Sequence, residues 1–267
     1  MTRTRIQDAF ARMTAEGRTG LVAYVTAGDP DLPRSAQVIR AVAEGGADII
    51  EVGVPFSDPL ADGPEIQRAS ERALAAGTTL DGVLHMVAEL RRDLDTPFVL
   101  FTYANPVVRM GLETFARRAS DAGIDGVLLL DIPLEEAAEA RAAFLAQGLA
   151  PIFLLSPTTS DERVRRSSEM GEGFLYVISR LGVTGVRDTV AGDAQALVDR
   201  IRRHSDLPIA LGFGLSRPEH VTAVGRYADA AVVGSALVAQ IARHGASPRL
   251  ADEVRDFVRW LRGGVPA

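Results

Sequence analysis

Glu51 interrupts an apolar run, Ile49-Ile50-Glu51-Val52-Gly53-Val54, and a stiff acidic turn follows it: Pro55, Asp58, Pro59, Asp62 and Pro64 fall within ten residues. A carboxyl group buried among apolar neighbours has a raised pKa and becomes an acid or base near neutrality. Strand alternation sets Ile49, Glu51 and Gly53 on one face and Ile50 and Val52 on the other. One strand glutamate by itself is as consistent with a salt bridge as with catalysis. Asp62 tips the reading toward chemistry, because it stands in the loop directly after that strand, where three prolines limit the backbone states. Two carboxylates of different exposure over one mouth form an acid–base arrangement.

Other polar groups near this loop read as structure. Asp58 suits a turn residue bonding its own backbone. The stretch DPLADG half-matches a calcium loop but fails at Leu60 and Ala69, so calcium is rejected. His85, His204, His220 and His244 have no ligand spacing, and no metal site is expected.

A second kind of chemistry lies later in the chain. Three glycine clusters, SRLGVTG (179–185), GFGLSRPE (212–219) and VVGSALV (232–238), each follow an apolar run. Glycines let backbone N–H groups approach an anion, and a helix beginning at Ser235 adds favourable partial charge. Together they read as a phosphate seat. GFG lacks the third glycine of a dinucleotide fingerprint. Tyr24, Phe101, Tyr103, Leu128 and Tyr176 stand at strand ends, where they line an apolar pocket for a flat ring or pack as ordinary core.

Composition removes several classes. The 267 residues include no cysteine, which excludes a disulfide framework and thiolate chemistry and points to a reducing cytoplasm. Every cation is arginine; with no lysine, no Schiff base forms on this chain, so imine aldolase chemistry and covalent pyridoxal phosphate are excluded. A net charge of −6 with no basic stripe argues against nucleic acid. The N-terminus has no apolar segment of signal-peptide type, and the longest apolar stretch, near residues 230–242, is too short to span a bilayer.

The elements that must position these groups recur regularly. Apolar, β-branched runs predict strands at 21–26, 48–52, 98–102, 126–130, 152–155, 174–178, 209–211 and 230–233. Segments of helical spacing, such as 36–43, 113–122 and 135–147, lie between them. GGAD (45–48), AGID (122–125) and YAD (227–229) mark returns from helix to strand. Eight such units predict a single (β/α)8 barrel domain over residues 1–267, with an extra N-terminal helix and extra helices after strands 2 and 8. An open doubly wound sheet is the runner-up. The barrel places the active site at the C-terminal ends of the strands.

The motifs YVTAGDPD (24–31), EVGVPFSDPLADGPEIQ (51–67), YANPV (103–107), DIPLEE (131–136), ISRLGVTG (178–185), GFGLS (212–216) and VVGSALV (232–238) resemble the tryptophan synthase alpha chain family over nearly the whole sequence. The resemblance implies a TIM barrel that cleaves indole-3-glycerol phosphate to indole and glyceraldehyde 3-phosphate, with no cofactor on this chain. It implies Glu51 and Asp62 as the catalytic carboxylates, with Tyr176 as an active-site tyrosine. Gly185, Gly214, Gly234 and Ser235 then contact phosphate, and Tyr24, Ile66, Phe101 and Leu128 form the ring pocket. Arg180 and Thr184 belong to loop closure, where Leu181 departs from the family's small polar residue. Pro55, Phe56 and Asn105 face a partner, the pyridoxal-phosphate beta chain, in an alpha2beta2 heterotetramer. Two alternatives stand beside this: a free-standing lyase that releases indole, and a catalytically weak allosteric partner of a beta chain.

Overall fold

The structure, a computed structural model, describes residues 4–178, 188–212 and 214–263. Eight strands run in chain order around a closed barrel: β1 (Gly20–Thr26), β2 (Ile49–Gly53), β3 (Phe98–Thr102), β4 (Gly126–Leu129), β5 (Ala150–Leu155), β6 (Leu175–Ile178), β7 (Ile209–Gly212) and β8 (Ala230–Val233). Every pairing is parallel, and β8 returns to β1. Every predicted strand is present, with its ends within two residues of the expectation.

The expected extra helices are α1 (Arg5–Ala15), the pair α3 (Pro64–Ala75) and α4 (Leu80–Leu90) after β2, and the pair α11 (Ser235–His244) and α12 (Leu250–Leu261) after β8. After β3 come α5 (Ala104–Met110), which was not foreseen, and α6 (Leu112–Asp121), the helix expected over 113–122. The helix expected over 135–147 is divided into a 3-10 turn, Leu134–Glu136, and α7 (Ala138–Ala146). The other βα units carry α2 (Leu32–Glu44), α8 (Asp161–Met170), α9 (Asp188–Arg202) and α10 (Pro218–Val224). No helix among the described residues is long and apolar enough to cross a membrane.

Alternation along the strands divides the apolar residues into two cores. One face of each strand packs on the helices, with Ile50, Val52, Leu100 and Val177 in that layer. The other face fills the barrel, with Val22, Ile49, Val99, Leu128 and Phe174. Helix α1 plugs the end where the strands begin. Its buried stripe, Ile6, Ala9, Phe10 and Met13, joins the barrel interior, and Phe10 meets Phe174 at 5.7 Å between ring centroids. Gly20 makes this approach possible, since a Cβ there would lie 2.1 Å from the Met13 sulfur. With that end closed, a substrate can enter only where the strands finish.

The helix-to-strand returns act as bolts. After α2 and α6 the chain passes through Gly46 (φ 98°) and Gly123 (φ 86°), a left-handed turn open to glycine at no steric cost. An aspartate then follows. Asp48, Asp125 and Asp229 accept the backbone N–H of Leu21, Phe98 and Ile209, each in the neighbouring strand, at 2.9, 2.8 and 2.7 Å. Each carboxylate also takes arginine: Asp48 from Arg18 and Arg262, Asp125 from Arg5 and Arg91, and Asp229 from Arg202. Asp48 and Asp125 are buried, so ion pairing and the amide bond together offset their desolvation.

Candidate active site

β2 carries Glu51 in register with Tyr24 of β1 and Val99 of β3. Glu51 is fully buried, and among the described residues neither carboxylate oxygen has a hydrogen-bond partner. An unpaired buried carboxylate is costly, so the group holds its proton: desolvation raises its pKa to about 8. Among the described residues no cation pairs with Glu51, which speaks against the salt-bridge reading.

Asp62 stands in the loop between β2 and α3. Its backbone N–H donates to the Pro59 carbonyl at 3.1 Å, and Gln67 Nε2 donates to the Asp62 carbonyl at 2.9 Å. Its side chain accepts from the Tyr103 hydroxyl at 3.0 Å. Desolvation raises its pKa to about 6, and the Tyr103 hydrogen bond opposes that rise. The two carboxyl groups thus stand about two units apart across neutrality, one protonated and one largely ionised at pH 7.

A cavity of about 310 Å3 opens at the C-terminal ends of the strands, at the lower end of the small-molecule range. Asp62, Gly63 and Ile66 form one rim, and Gly212, Gly214, Gly234 and Ser235 another. Between them lie Tyr24, Phe101, Tyr176 and the aliphatic groups Leu130, Leu154, Ile178 and Val232. Phe101 meets Tyr24 edge-on at 5.1 Å and Tyr176 at 6.4 Å. Burial chiefly, with smaller contributions from Asp62 and Glu51, holds the Tyr24 and Tyr176 hydroxyls protonated, which brings all four groups into one neighbourhood. Glu51 itself does not reach the cavity wall.

The glycine rim has the makings of an anion seat. α11 begins directly after β8 at Gly234 and Ser235, and among the described residues no side chain caps it, so its first N–H groups remain available to a ligand. Two other glycines serve the tyrosines. A Cβ at Gly53 would lie 2.2 Å from the Tyr24 hydroxyl, and one at Gly212 would lie 3.2 Å from the Tyr176 hydroxyl.

Most of the expected site is gathered here: Asp62, Tyr176, Gly214, Gly234, Ser235, Tyr24, Ile66 and Phe101 line the cavity, with Glu51 beside it. Leu128 is corrected. It is fully buried in the barrel interior, and Leu130, two residues further along the same face, lines the cavity instead. Arg180, Leu181, Thr184 and Gly185 lie outside the described residues. Tyr103, expected only as an apolar or rim residue, is the partner of Asp62. A second concavity, about 480 Å3, collects Pro55, Phe56 and Asn105 with Pro106, Arg109 and Met110. Among the described residues no cluster of His, Asp or Glu suits a metal ion.

The family model described as tryptophan synthase alpha chain matches residues 10–259. The chain belongs to that family. A tryptophan synthase alpha chain of Burkholderia thailandensis is 47% identical over 263 residues, covering 98% of this chain and 97% of the relative. The crystal structure of tryptophan synthase subunit alpha from Legionella pneumophila superposes with a TM-score of 0.91 at 35% identity, covering 98% of each chain. A structure of Mycobacterium tuberculosis tryptophan synthase gives 0.89 at 36% identity, covering both chains fully. Alpha chains of this family cleave indole-3-glycerol phosphate, a flat ring joined to a phosphate.

Proposed function

We propose that this chain, acting as one barrel domain, cleaves indole-3-glycerol phosphate to indole and glyceraldehyde 3-phosphate through Glu51 and Asp62. The observation that carries this reading is the buried, unpaired and protonated Glu51 beside a cavity whose rims are a carboxylate and a helix N-terminus.

Breaking the carbon–carbon bond needs an electron sink, and the indole ring is one once C3 is protonated. Glu51 gives its proton to C3, which leaves the positive charge on the ring nitrogen. The bond from C3 to the glycerol chain breaks, and its electron pair returns to the ring and restores neutral indole. The adjacent hydroxyl becomes the aldehyde carbonyl, and its proton returns to the Glu51 carboxylate. Protons and charge balance over the cycle. Asp62, largely ionised at neutral pH, holds the ring N–H and its developing charge. The aromatic walls and the glycine rim fix the ring and the phosphate relative to these groups. These side chains supply the acid–base work with no cofactor of the chain's own.

The chain acts as the alpha subunit of tryptophan synthase and delivers indole to the beta chain. The groove of Pro55, Phe56 and Asn105, with Val108 69% exposed on α5, is the apolar surface assigned to that partner. Cytoplasmic location is the natural setting for such an enzyme. The test is indole release from indole-3-glycerol phosphate, measured alone and with a beta chain. Glu51→Gln and Asp62→Asn should each lose about 2–4 orders of magnitude in rate with the fold retained. Rates within about threefold of the parent would remove that residue from the reaction.

A further inference from the structure

Tyr103 links Asp62 on the rim of the first cavity to Phe56 in the second concavity. It ends the β3 strand as the N-cap of α5, and it is 4% exposed. Its hydroxyl accepts from the Ala61 backbone N–H at 3.0 Å and donates to Asp62 Oδ2 at 3.0 Å. Its ring stacks on Phe56, at 4.9 Å between centroids and 28° between planes. One hydroxyl therefore grips two consecutive residues of the loop after β2, and the stacked ring fixes where that hydroxyl stands. On the other side of the loop, Gln67 holds the Asp62 carbonyl. Among the described residues the Asp62 side chain has no other hydrogen-bond partner.

We infer that Tyr103 is a positioning residue for the lyase reaction: its hydroxyl engages Oδ2 of Asp62 and presents Oδ1 to the ring N–H of the substrate. The inference rests on Asp62 acting as proposed above. A hydroxyl that donates to a carboxylate favours the charged form, so the same bond keeps Asp62 ionised at neutral pH. The other ionisable groups around it come from different elements. Tyr24 of β1 and Tyr176 of β6 feel its charge and that of Glu51 of β2, while Asp131, after β4, acts on Tyr103. Glu51 titrates near 8, and the tyrosines are held above their ordinary value, so the acid limb near 6 belongs to Asp62.

Tyr103→Phe tests this, because it keeps the ring and the Phe56 stack and deletes only the hydroxyl. With folding checked by circular dichroism and thermal melting, kcat for indole release should fall roughly tenfold, the scale of one charge-assisted hydrogen bond. KM should change by less than about threefold, and the acid limb of kcat/KM should move to higher pH by roughly half a unit or more. 3-Fluorotyrosine at position 103 keeps the fold and donates more strongly, so it should move the limb to lower pH. A kcat within about twofold of the parent, or an acid limb unmoved in either variant, would overturn the inference and leave the hydroxyl as a loop staple. Asp62→Asn, assayed in parallel, separates this from failure of the underlying reading: an active Asp62→Asn removes Asp62 itself from the chemistry.

Discussion

Glu51 is costly to the fold, and the cost can be measured. Its carboxyl is fully buried, with both oxygens unpaired among the described residues, and its pKa moves from 4.5 to about 8. A folded-state pKa above the unfolded one gives stability that is complete below 4.5 and lost as pH rises through about 8. With those two values the loss is about 1 kcal/mol at pH 5 and about 4 kcal/mol at pH 8. Glu51→Gln has no such group. Its buried amide carries a penalty of its own, about 1–3 kcal/mol, but that penalty does not vary with pH. The variant should therefore gain about 3 kcal/mol relative to the parent between pH 5 and pH 8, whatever their difference at one pH. Urea unfolding of both proteins at pH 5, 6, 7 and 8 measures that gap. Two stability curves that stay parallel to within about 1 kcal/mol would refute the argument, because Glu51 would then be ionised or solvated in the folded state. The same substitution removes the proposed proton donor, so stability and activity should move in opposite directions.

Three further predictions concern the site and its frame. The profile of kcat/KM against pH should be bell-shaped, falling below about 6 as Asp62 is protonated and above about 8 as Glu51 ionises; a flat profile from pH 5 to 9 contradicts those roles. Gly212→Ala places a Cβ 2.9 Å from Val232 and 3.2 Å from the Tyr176 hydroxyl, so it should cost about 1–3 kcal/mol and depress indole release, and parental stability and rate together would show that the strand gives way freely. Asp125→Ala leaves the half-buried Arg91 without its carboxylate and the Phe98 N–H without its acceptor; it should cost about 3–5 kcal/mol by urea unfolding with the pH dependence of the reaction unchanged.

The strands were legible because a parallel sheet covered on both faces demands near-continuous β-branched runs, and each of the eight stands where its run stands. Asp62 and Glu51 were legible because a carboxylate in an apolar strand and another in a proline-stiffened loop violate the local pattern. Helix α5 was missed, since the proline and asparagine of YANPV suit a turn as well as a helix start and only the structure shows Tyr103 at its N-cap. Leu128 was placed one layer too deep. Alternation puts it on the same face as Leu130, and only the height of the cavity floor separates them. The three aspartates were noticed as marks of repeated joints, but their arginine partners come from distant segments, as with Arg262 on Asp48.

Periodicity, turn residues and misplaced charge are local properties, so the sequence alone determined the barrel class, the order of its strands and the two acids that do not belong in ordinary core. Distances across the barrel depend on how layers from different strands come level, and no local pattern encodes that. Only the tertiary structure decided that Glu51 lies unpaired just behind the cavity wall, that α1 closes the opposite end, and that Tyr103 reaches over from β3 to hold Asp62.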